Sequence, residues 1–467
     1  MTLKQQIRNW MTGREDEFVE ALAPLIAINS VTGEPSEGMP FGPGPAAALA
    51  AALELAKKWG MTTSDDEGYV GLVDLNEKED LLHILAHLDV VGAGDHWDTD
   101  PFTLVRQGDL IYGRGTDDDK GPAVAALLAM RCVKELGIPL KGNAKLILGT
   151  DEECGSKDLA HYYGSHPFAP NSVTPDCCFP VTNIEKASYA PLFSQRWDPQ
   201  AEAENQLLSL HGGILVNVAP GNCTARIRGM AKAAAAAMME ETARTTGVRL
   251  EAQETDGFLT IEATGVQAHA SRPEDGKNAI TAMLMLLNKL PLAEGATKKA
   301  VEDLHRFFPY GDDCGVALGI AAEDSISGKT TVTLSVLDLN ETGFTARFDS
   351  RDALCATKES TQDAVEKTFG NLGWNCTGNF APGHYVDENS PFIQILLETY
   401  EEFSGRKGYC EAIGGGTYVH HIPGGVAFGA GEHDFDPRVH GANERSRISQ
   451  LLLAAEIYAA VIAKVCG

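Results

Sequence analysis

Basic residues are scarce in this chain: 38 Lys and Arg stand against 65 Asp and Glu among 467 residues, a formal net charge of -27. Such a balance repels phosphate backbones and anionic lipid headgroups, which argues against a nucleic acid or a membrane surface as partner. Cysteines at CxxC spacing are also missing. The 10 cysteines are scattered, and the adjacent Cys177 and Cys178 are poorly disposed for a disulfide, so they read as reduced thiols of a cytoplasmic protein. The first residues lack the apolar core and small-residue cleavage site of a signal peptide. No apolar run reaches the ~20 residues of a membrane crossing; the longest, Leu451 to Ala463, already contains Glu456. What remains is ordinary for a globular chain, with 43% hydrophobic and 22% charged residues, which excludes global disorder and collagen-like structure. At ~150 residues each, the length allows about three domain-sized units.

Apolar residues at near-helical spacing (Leu3, Ile7, Trp10, Phe18, Leu22, Leu25) predict helix within 3–28, and Pro45 and Gly60 bracket a second helix. The pattern then changes. Tyr69 to Leu75 and Leu81 to Ala86 read as short strands, the second almost continuously apolar and therefore buried on both faces. Gly121 to Leu136 reads as a helix stopped by Gly137, and Lys145 to Gly149 as another buried strand. Strands alternating with helices predict an α/β fold, a mixed sheet flanked by helices. From about Ala187 the texture becomes α+β, with strands at Gln206 to Val218, Cys223 to Arg228, Phe258 to Ala263, Thr331 to Leu337 and Phe344 to Phe348, and helices at Lys232 to Arg244 and Asn278 to Leu290. After Pro382-Gly383 the first texture returns, with a last helix over Arg445 to Val465. The simplest organisation is a domain of residues 1–186 and 383–467 with an α+β lid inserted at 187–382.

Four stretches place acids or imidazoles past the ends of buried strands or ahead of helices, where open α/β sheets bind ligands. In Ala86-His87-Leu88-Asp89 the His and Asp, two apart, point the same way from a strand, so the carboxylate can orient the imidazole; a hydrogen-bonded strand-end His is the plainer alternative. In Gly113-Arg114-Gly115-Thr116-Asp117-Asp118-Asp119-Lys120-Gly121-Pro122 three successive carboxylates repel unless a cation or a helix N-terminus stabilises them. Thr150-Asp151-Glu152-Glu153-Cys154-Gly155 offers neighbouring glutamates, one able to hold a metal while the other acts as general base, or else a polar surface loop. Val439-His440-Gly441-Ala442-Asn443-Glu444 could close such a site from the far end of the chain, or carry a surface His. Jointly these groups match the oxygen and nitrogen donors that zinc takes at hydrolytic sites.

In this order the stretches resemble the M20 family of di-zinc metallopeptidases and acylases, through residues 86–102, 113–122, 150–155, 174–176, 265–279 and 440–444, and most nearly its PepV-like dipeptidases. The resemblance implies two zinc ions, with Mn or Co as substitutes. His87 and Asp176 would bind one, Glu153 and His440 the other, and Asp118 would bridge them, with a cis Asp118–Asp119 peptide. Glu152 would be the general base and Asp89 would hold His87. His269, in Gly265-Val266-Gln267-Ala268-His269-Ala270-Ser271, would stabilise the tetrahedral oxyanion from the lid. Asn217 and Arg351 would grip substrate, and the backbone of Gly414-Gly415-Gly416-Thr417 could receive a substrate carboxylate, or be a plain turn; His420 and His421 are left as structural. Gly92 replaces a frequent Pro after the first motif, and Arg351 is followed by Asp352-Ala353 instead of an aromatic and Pro.

Asp at position 176 resembles the aminopeptidase and dipeptidase branch of the family, whereas Glu is usual in its carboxypeptidase, desuccinylase and aminoacylase branches. The resulting expectation is a cytoplasmic, monomeric, zinc-dependent dipeptidase acting on short peptides with a free N-terminus. The alternatives are an N-acyl-amino-acid amidase or desuccinylase, a catalytically silent small-molecule binder on the same scaffold, and, more distantly, a phosphoesterase, for which an Arg or Lys phosphate clamp is lacking.

Overall fold

The computed structural model describes residues 1–467, which divide into two compact units. The first comprises Met1–Ile184, Tyr385–Glu411 and Gly416–Gly467; the second comprises Glu185–His384 and Ala412–Gly415.

The first unit is built on a mixed sheet whose neighbouring strands run Thr62–Asp66, Val70–Asp74, Asn143–Gly149, Asp80–His87, Ser172–Thr174, Val426–Ala427 and Val181–Glu185. Asp80–His87 lies parallel to both Asn143–Gly149 and Ser172–Thr174, and Val426–Ala427 is parallel to Ser172–Thr174. The parallel strands therefore finish at one edge. Their side chains alternate between two cores: Leu82, Ile84, Ala86, Ala144, Leu146 and Leu148 join the larger one, while Leu85 and Ile147 join Tyr162, Tyr418 and Val419 on the other face. Burial on both faces explains the nearly unbroken apolar runs of these strands.

Helices Lys120–Glu135 and Ile448–Cys466 pack on one another within the larger core. Ile448–Cys466 is long and apolar enough to cross a membrane by length and composition, yet 67% of its apolar window is buried inside the protein. It begins three residues later than the sequence suggests, because Arg445–Arg447 pairs as a strand with Leu110–Tyr112. The sequence reading of 3–28 resolves into two helices, Leu3–Met11 and Glu15–Ile26, separated at Gly13, which has φ 77°.

The second unit is an antiparallel sheet in the order Arg249–Thr255, Phe258–Thr264, Asn222–Arg228, Gln206–Gly212, Thr331–Asn340, Gly343–Asp352, Ala187–Tyr189. Asn222–Arg228 alternates exposed and buried residues, as a strand covered on one face should. Helices Ala279–Lys289 and Ala296–Phe307 supply the cover, and Phe193, Phe308, Phe344, Phe348, Phe369 and Trp374 form an aromatic cluster in its core. The single strand expected from Gln206 to Val218 is interrupted: pairing stops at Gly212, and Gly213 turns with φ 73° where a Cβ would lie 1.8 Å from the Ser335 carbonyl oxygen. Only Val218–Ala219 resumes pairing, with Ala268–His269.

Candidate metal centre

The common edge of the parallel strands gathers the chemistry. His87 is the last residue of Asp80–His87, Glu152 and Glu153 follow Asn143–Gly149, and Asp176 follows Ser172–Thr174. Asp118 precedes helix Lys120–Glu135, and its peptide bond to Asp119 is cis. His440 arrives from the last segment in the left-handed region, φ 61°, an uncommon conformation for a non-glycine residue and one that clusters at functional sites.

The two carboxylate oxygens of Asp118 face different imidazoles. Oδ1 is 2.9 Å from His87 Nε2, and Oδ2 is 3.0 Å from His440 Nε2. Asp176 Oδ2 lies 3.6 Å from His87 Nε2, and Glu153 Oε2 lies 3.3 Å from His440 Nε2. Donor atoms of His87, Glu152 and Asp176 fall within 4.8 Å of one another, as do those of His87, Asp118 and Glu153. His87 Nε2 is buried and makes no hydrogen bond, although a carboxylate oxygen stands 2.9 Å away. An inward-facing imidazole nitrogen without a proton partner, ringed by carboxylates, is the donor set of a divalent-cation site. The residues present therefore fit a divalent metal ion.

Electrostatics agree. Burial opposes charge on His87, but Asp118, Asp176 and Asp89 together hold its imidazole well above the usual range. Hydrogen bonds with Asp118 and Glu153 push His440 up to about 10. Burial raises Glu152 well above the ordinary carboxyl range, with the charges of Asp176, Asp118 and Glu153 adding to it, and burial likewise raises Glu153 and Asp176. So many acids in little solvent attract positive charge strongly.

Neighbouring groups hold this arrangement in place. His87 Nδ1 donates to the main-chain carbonyl of Asp89 at 3.0 Å; the Asp89 carboxylate is 3.5 Å away. That carboxylate also accepts the backbone N–H groups of Glu152 at 3.1 Å and Glu153 at 3.0 Å. Asp89, which the sequence reading set to hold His87, thus meets the ring through its main-chain carbonyl as well as its carboxylate. Past the strand end at His87 the chain turns the Asp89 carbonyl toward the ring, while the Asp89 carboxylate reaches the adjacent loop. Asp158 accepts the two preceding N–H groups, of Thr150 at 2.6 Å and Asp151 at 3.0 Å, and also the Tyr418 hydroxyl; burial pushes its carboxyl up to about 6. Four consecutive amides of the loop are thus fixed by two carboxylates.

Buried Glu444 does the same for the Asp118 loop. Its Oε1 accepts N–H from Gly115 and Asp117 at 3.0 Å and from Asp118 at 3.3 Å, while Oε2 pairs with buried Arg114 at 2.5 Å. Of the three successive aspartates, Asp117 accepts the Ser446 hydroxyl and Asp119 accepts the His87 N–H at 3.0 Å, so only Asp118 faces both imidazoles. A solvated N-cap cluster is excluded: Asp118 is 8% exposed, Asp119 is fully buried, and Asp119 caps the helix with no side-chain bond. Glu444, Arg114 and Asp158 received no role from the sequence. Glu444 and Arg114 lie inside the quoted motifs, and a charged residue there without a metal role was the available signal.

The other expected site residues divide by unit. Gly416 and Thr417 belong to the first, where Thr417 caps the short turn Tyr418–His421 by accepting the Val419 N–H. Asn217, His269, Arg351 and Gly415 belong to the second. There Ala270 donates its N–H to the Asn217 carbonyl at 2.8 Å, which brings Asn217 beside His269. Arg351 is clamped by Asp349, Nε to Oδ1 at 2.7 Å and Nη2 to Oδ2 at 2.9 Å, and its Nη1 donates to the Gly414 carbonyl at 2.6 Å. The glycine run is therefore an acceptor for Arg351 at that point.

The profile of peptidase family M20/M25/M40 matches residues 83–464. A Bacillus subtilis (strain 168) protein named "Putative dipeptidase YtjP" is 32% identical over 462 residues, covering 97% of this chain and 99% of its own. A Staphylococcus aureus (strain MRSA252) protein named "Putative dipeptidase SAR1836" is 30% identical over 461 residues, 97% of each chain. Among solved structures, human carnosine dipeptidase 1 shares the fold, with a TM-score of 0.60 and 14% identity over 100% of this chain and 99% of that one. With the profile spanning most of its length and an acid-and-imidazole cluster at the sheet edge, this chain is a hydrolase that belongs to peptidase family M20/M25/M40.

Proposed function

We propose that this hydrolase is a dipeptidase that cleaves short peptides with a free N-terminus at a two-zinc centre, with Asp118 as the shared ligand, His87 and Asp176 on one ion and Glu153 and His440 on the other. One observation carries the reading: the two oxygens of Asp118 face His87 and His440 at 2.9 and 3.0 Å. A single carboxylate addressing two separate imidazoles suits two cations better than one.

When bound, the ions supply Lewis acidity toward the scissile carbonyl and make the attacking water more acidic. Glu152 takes the proton of that water and delivers it to the leaving amine. Its carboxyl is half-buried at the cluster and its backbone N–H is fixed by Asp89, which suits a residue that passes a proton from water to the leaving amine. His269, on the second unit acting as a lid, donates to the oxyanion of the tetrahedral intermediate, and Asn217 and Arg351 hold the substrate. These lid roles rest on the family resemblance. The choice of peptide over acylated amino acid is supported by Asp176 and by the dipeptidase names of the relatives.

The test is metal analysis together with hydrolysis rates over matched pairs of dipeptides and their N-acetylated forms. About two zinc ions per chain and turnover of the unblocked member only are expected. Turnover of the acetylated member alone would transfer the enzyme to the amidase branch.

A further inference from the structure

In the second unit the residue after next from His269 touches its ring twice. Ser271 Oγ lies 2.7 Å from His269 Nδ1, and the backbone N–H of Ser271 donates to the same nitrogen at 3.2 Å. A main-chain N–H can only donate. Nδ1 must therefore present its lone pair, and a neutral imidazole then carries its proton on Nε2. The Ser271 hydroxyl, facing the same lone pair, is a second donor.

The peptide that delivers this N–H cannot rotate freely. Its carbonyl, on Ala270, accepts the hydroxyl of buried Thr333 at 3.1 Å, and the Ala270 N–H is held by the Asn217 carbonyl at 2.8 Å. Thr333 stands on the long central strand Thr331–Asn340, so the orientation is anchored in the sheet. On the other side Ser271 adjoins Gly414, where a Cβ would lie 2.5 Å from Ser271 Cβ, so a larger residue at 414 would push Ser271 from its place.

We propose that Ser271 is a positioning residue for His269: through its hydroxyl and its N–H it fixes the imidazole as the Nε2–H tautomer, which turns a hydrogen-bond donor, not an acceptor, toward the substrate oxyanion. The inference rests on the oxyanion role of His269 proposed above. It adds the reason this imidazole is ready to donate before substrate arrives, and preorganised donors are what make oxyanion stabilisation effective.

The experiment compares the full chain with Ser271→Ala, Ser271→Thr and His269→Ala variants, loaded with zinc. It measures kcat and KM on a dipeptide and the imidazole nitrogen resonances by NMR, the His269 signals being assigned by their loss in His269→Ala. The parent chain shows His269 protonated on Nε2. Ser271→Ala shifts the Nδ1 resonance and lowers kcat by about three- to ten-fold, the worth of one hydrogen bond, with KM little changed, and Ser271→Thr restores both. A His269 found protonated on Nδ1 overturns the inference, as does a Ser271→Ala chain with parental kcat and an unmoved Nδ1 signal while His269→Ala is crippled. A His269→Ala chain of parental kcat overturns the oxyanion role itself, whatever the Ser271 variants show in the NMR spectrum.

Discussion

The Nδ1–H of His87 is received by the main-chain carbonyl of Asp89, at 3.0 Å. The contact leaves Nε2 as the inward-facing nitrogen and needs no particular side chain at position 89. The Asp89 carboxylate is thereby available to clamp the amides of Glu152 and Glu153, so one residue orients an imidazole through its backbone and two neighbouring acids through its side chain.

Glu152 is expected to carry the proton transfer. Glu152→Gln keeps the shape and the backbone bond to Asp89 but cannot take a proton, so kcat falls by about a hundred- to ten-thousand-fold. Zinc content, measured by atomic absorption, stays at the parental value. A variant that retains turnover would remove Glu152 from the mechanism.

Metal and fold stability are coupled. Asp118, Glu152, Glu153 and Asp176 crowd one small volume, and without cations their mutual repulsion is relieved only by protons. Binding to the folded chain alone adds about 4 kcal/mol when free ion stands at about 1,000 times its Kd. Calorimetry with and without a chelator should show the stripped chain melting lower and recovering on return of zinc. Equal melting temperatures would refute the coupling.

Glu444 supports the Asp118 loop without touching the ions. Glu444→Ala removes the partner of buried Arg114 and the acceptor of three backbone N–H groups, which costs about 3–5 kcal/mol in urea unfolding. The milder Glu444→Gln, which folds, weakens zinc binding about 10- to 100-fold as measured by chelator competition. Parental zinc affinity in that variant would limit Glu444 to a structural part.

A pH effect is expected within the second unit. Asp352 is fully buried in the second unit; the Ser350 hydroxyl donates to its Oδ2 at 2.9 Å and its Oδ1 has no partner. Burial pushes its carboxyl from 3.8 up to about 7, with Asp349 adding to the rise and Lys186 opposing it. Between those values the folded chain holds a proton that the unfolded chain has released, so this contribution to stability is lost as pH rises through the window. Asp352→Asn cannot ionise. Its melting temperature relative to the parent should climb from pH 4.5 to pH 8, and a constant difference would refute the assignment.

The sequence was most legible where one physical rule acted alone. Leu81 to Ala86 and Lys145 to Gly149 read as buried strands because both faces are covered; the structure extends the first by one residue at each end and the second by two at its start. Legibility failed at the edge strand Arg249–Thr255, where the apolar alternation is short, Leu250 and Ala252 only, and most residues are exposed. It failed also at Gly213, where the chain turns and the space for any side chain is taken by the Ser335 carbonyl, remote in sequence. Helix Ala296–Phe307 passed unread although Ala300, Val301, Leu304 and Phe307 follow helical spacing and are buried.

By itself the sequence determined which residue types could do the chemistry and which strand ends would carry them, because acids and imidazoles after apolar runs announce themselves locally. The choice of Asp118 among three adjacent aspartates came from the family resemblance and not from local pattern, and the sequence could not decide which atom of Asp89 holds His87 or which nitrogen of His269 bears the proton. Those choices depend on where Ser446, Glu444, Thr333 and the neighbouring strands place their donors and acceptors. Hydrogen bonding is directional and short in range, so only the assembled tertiary structure could settle them.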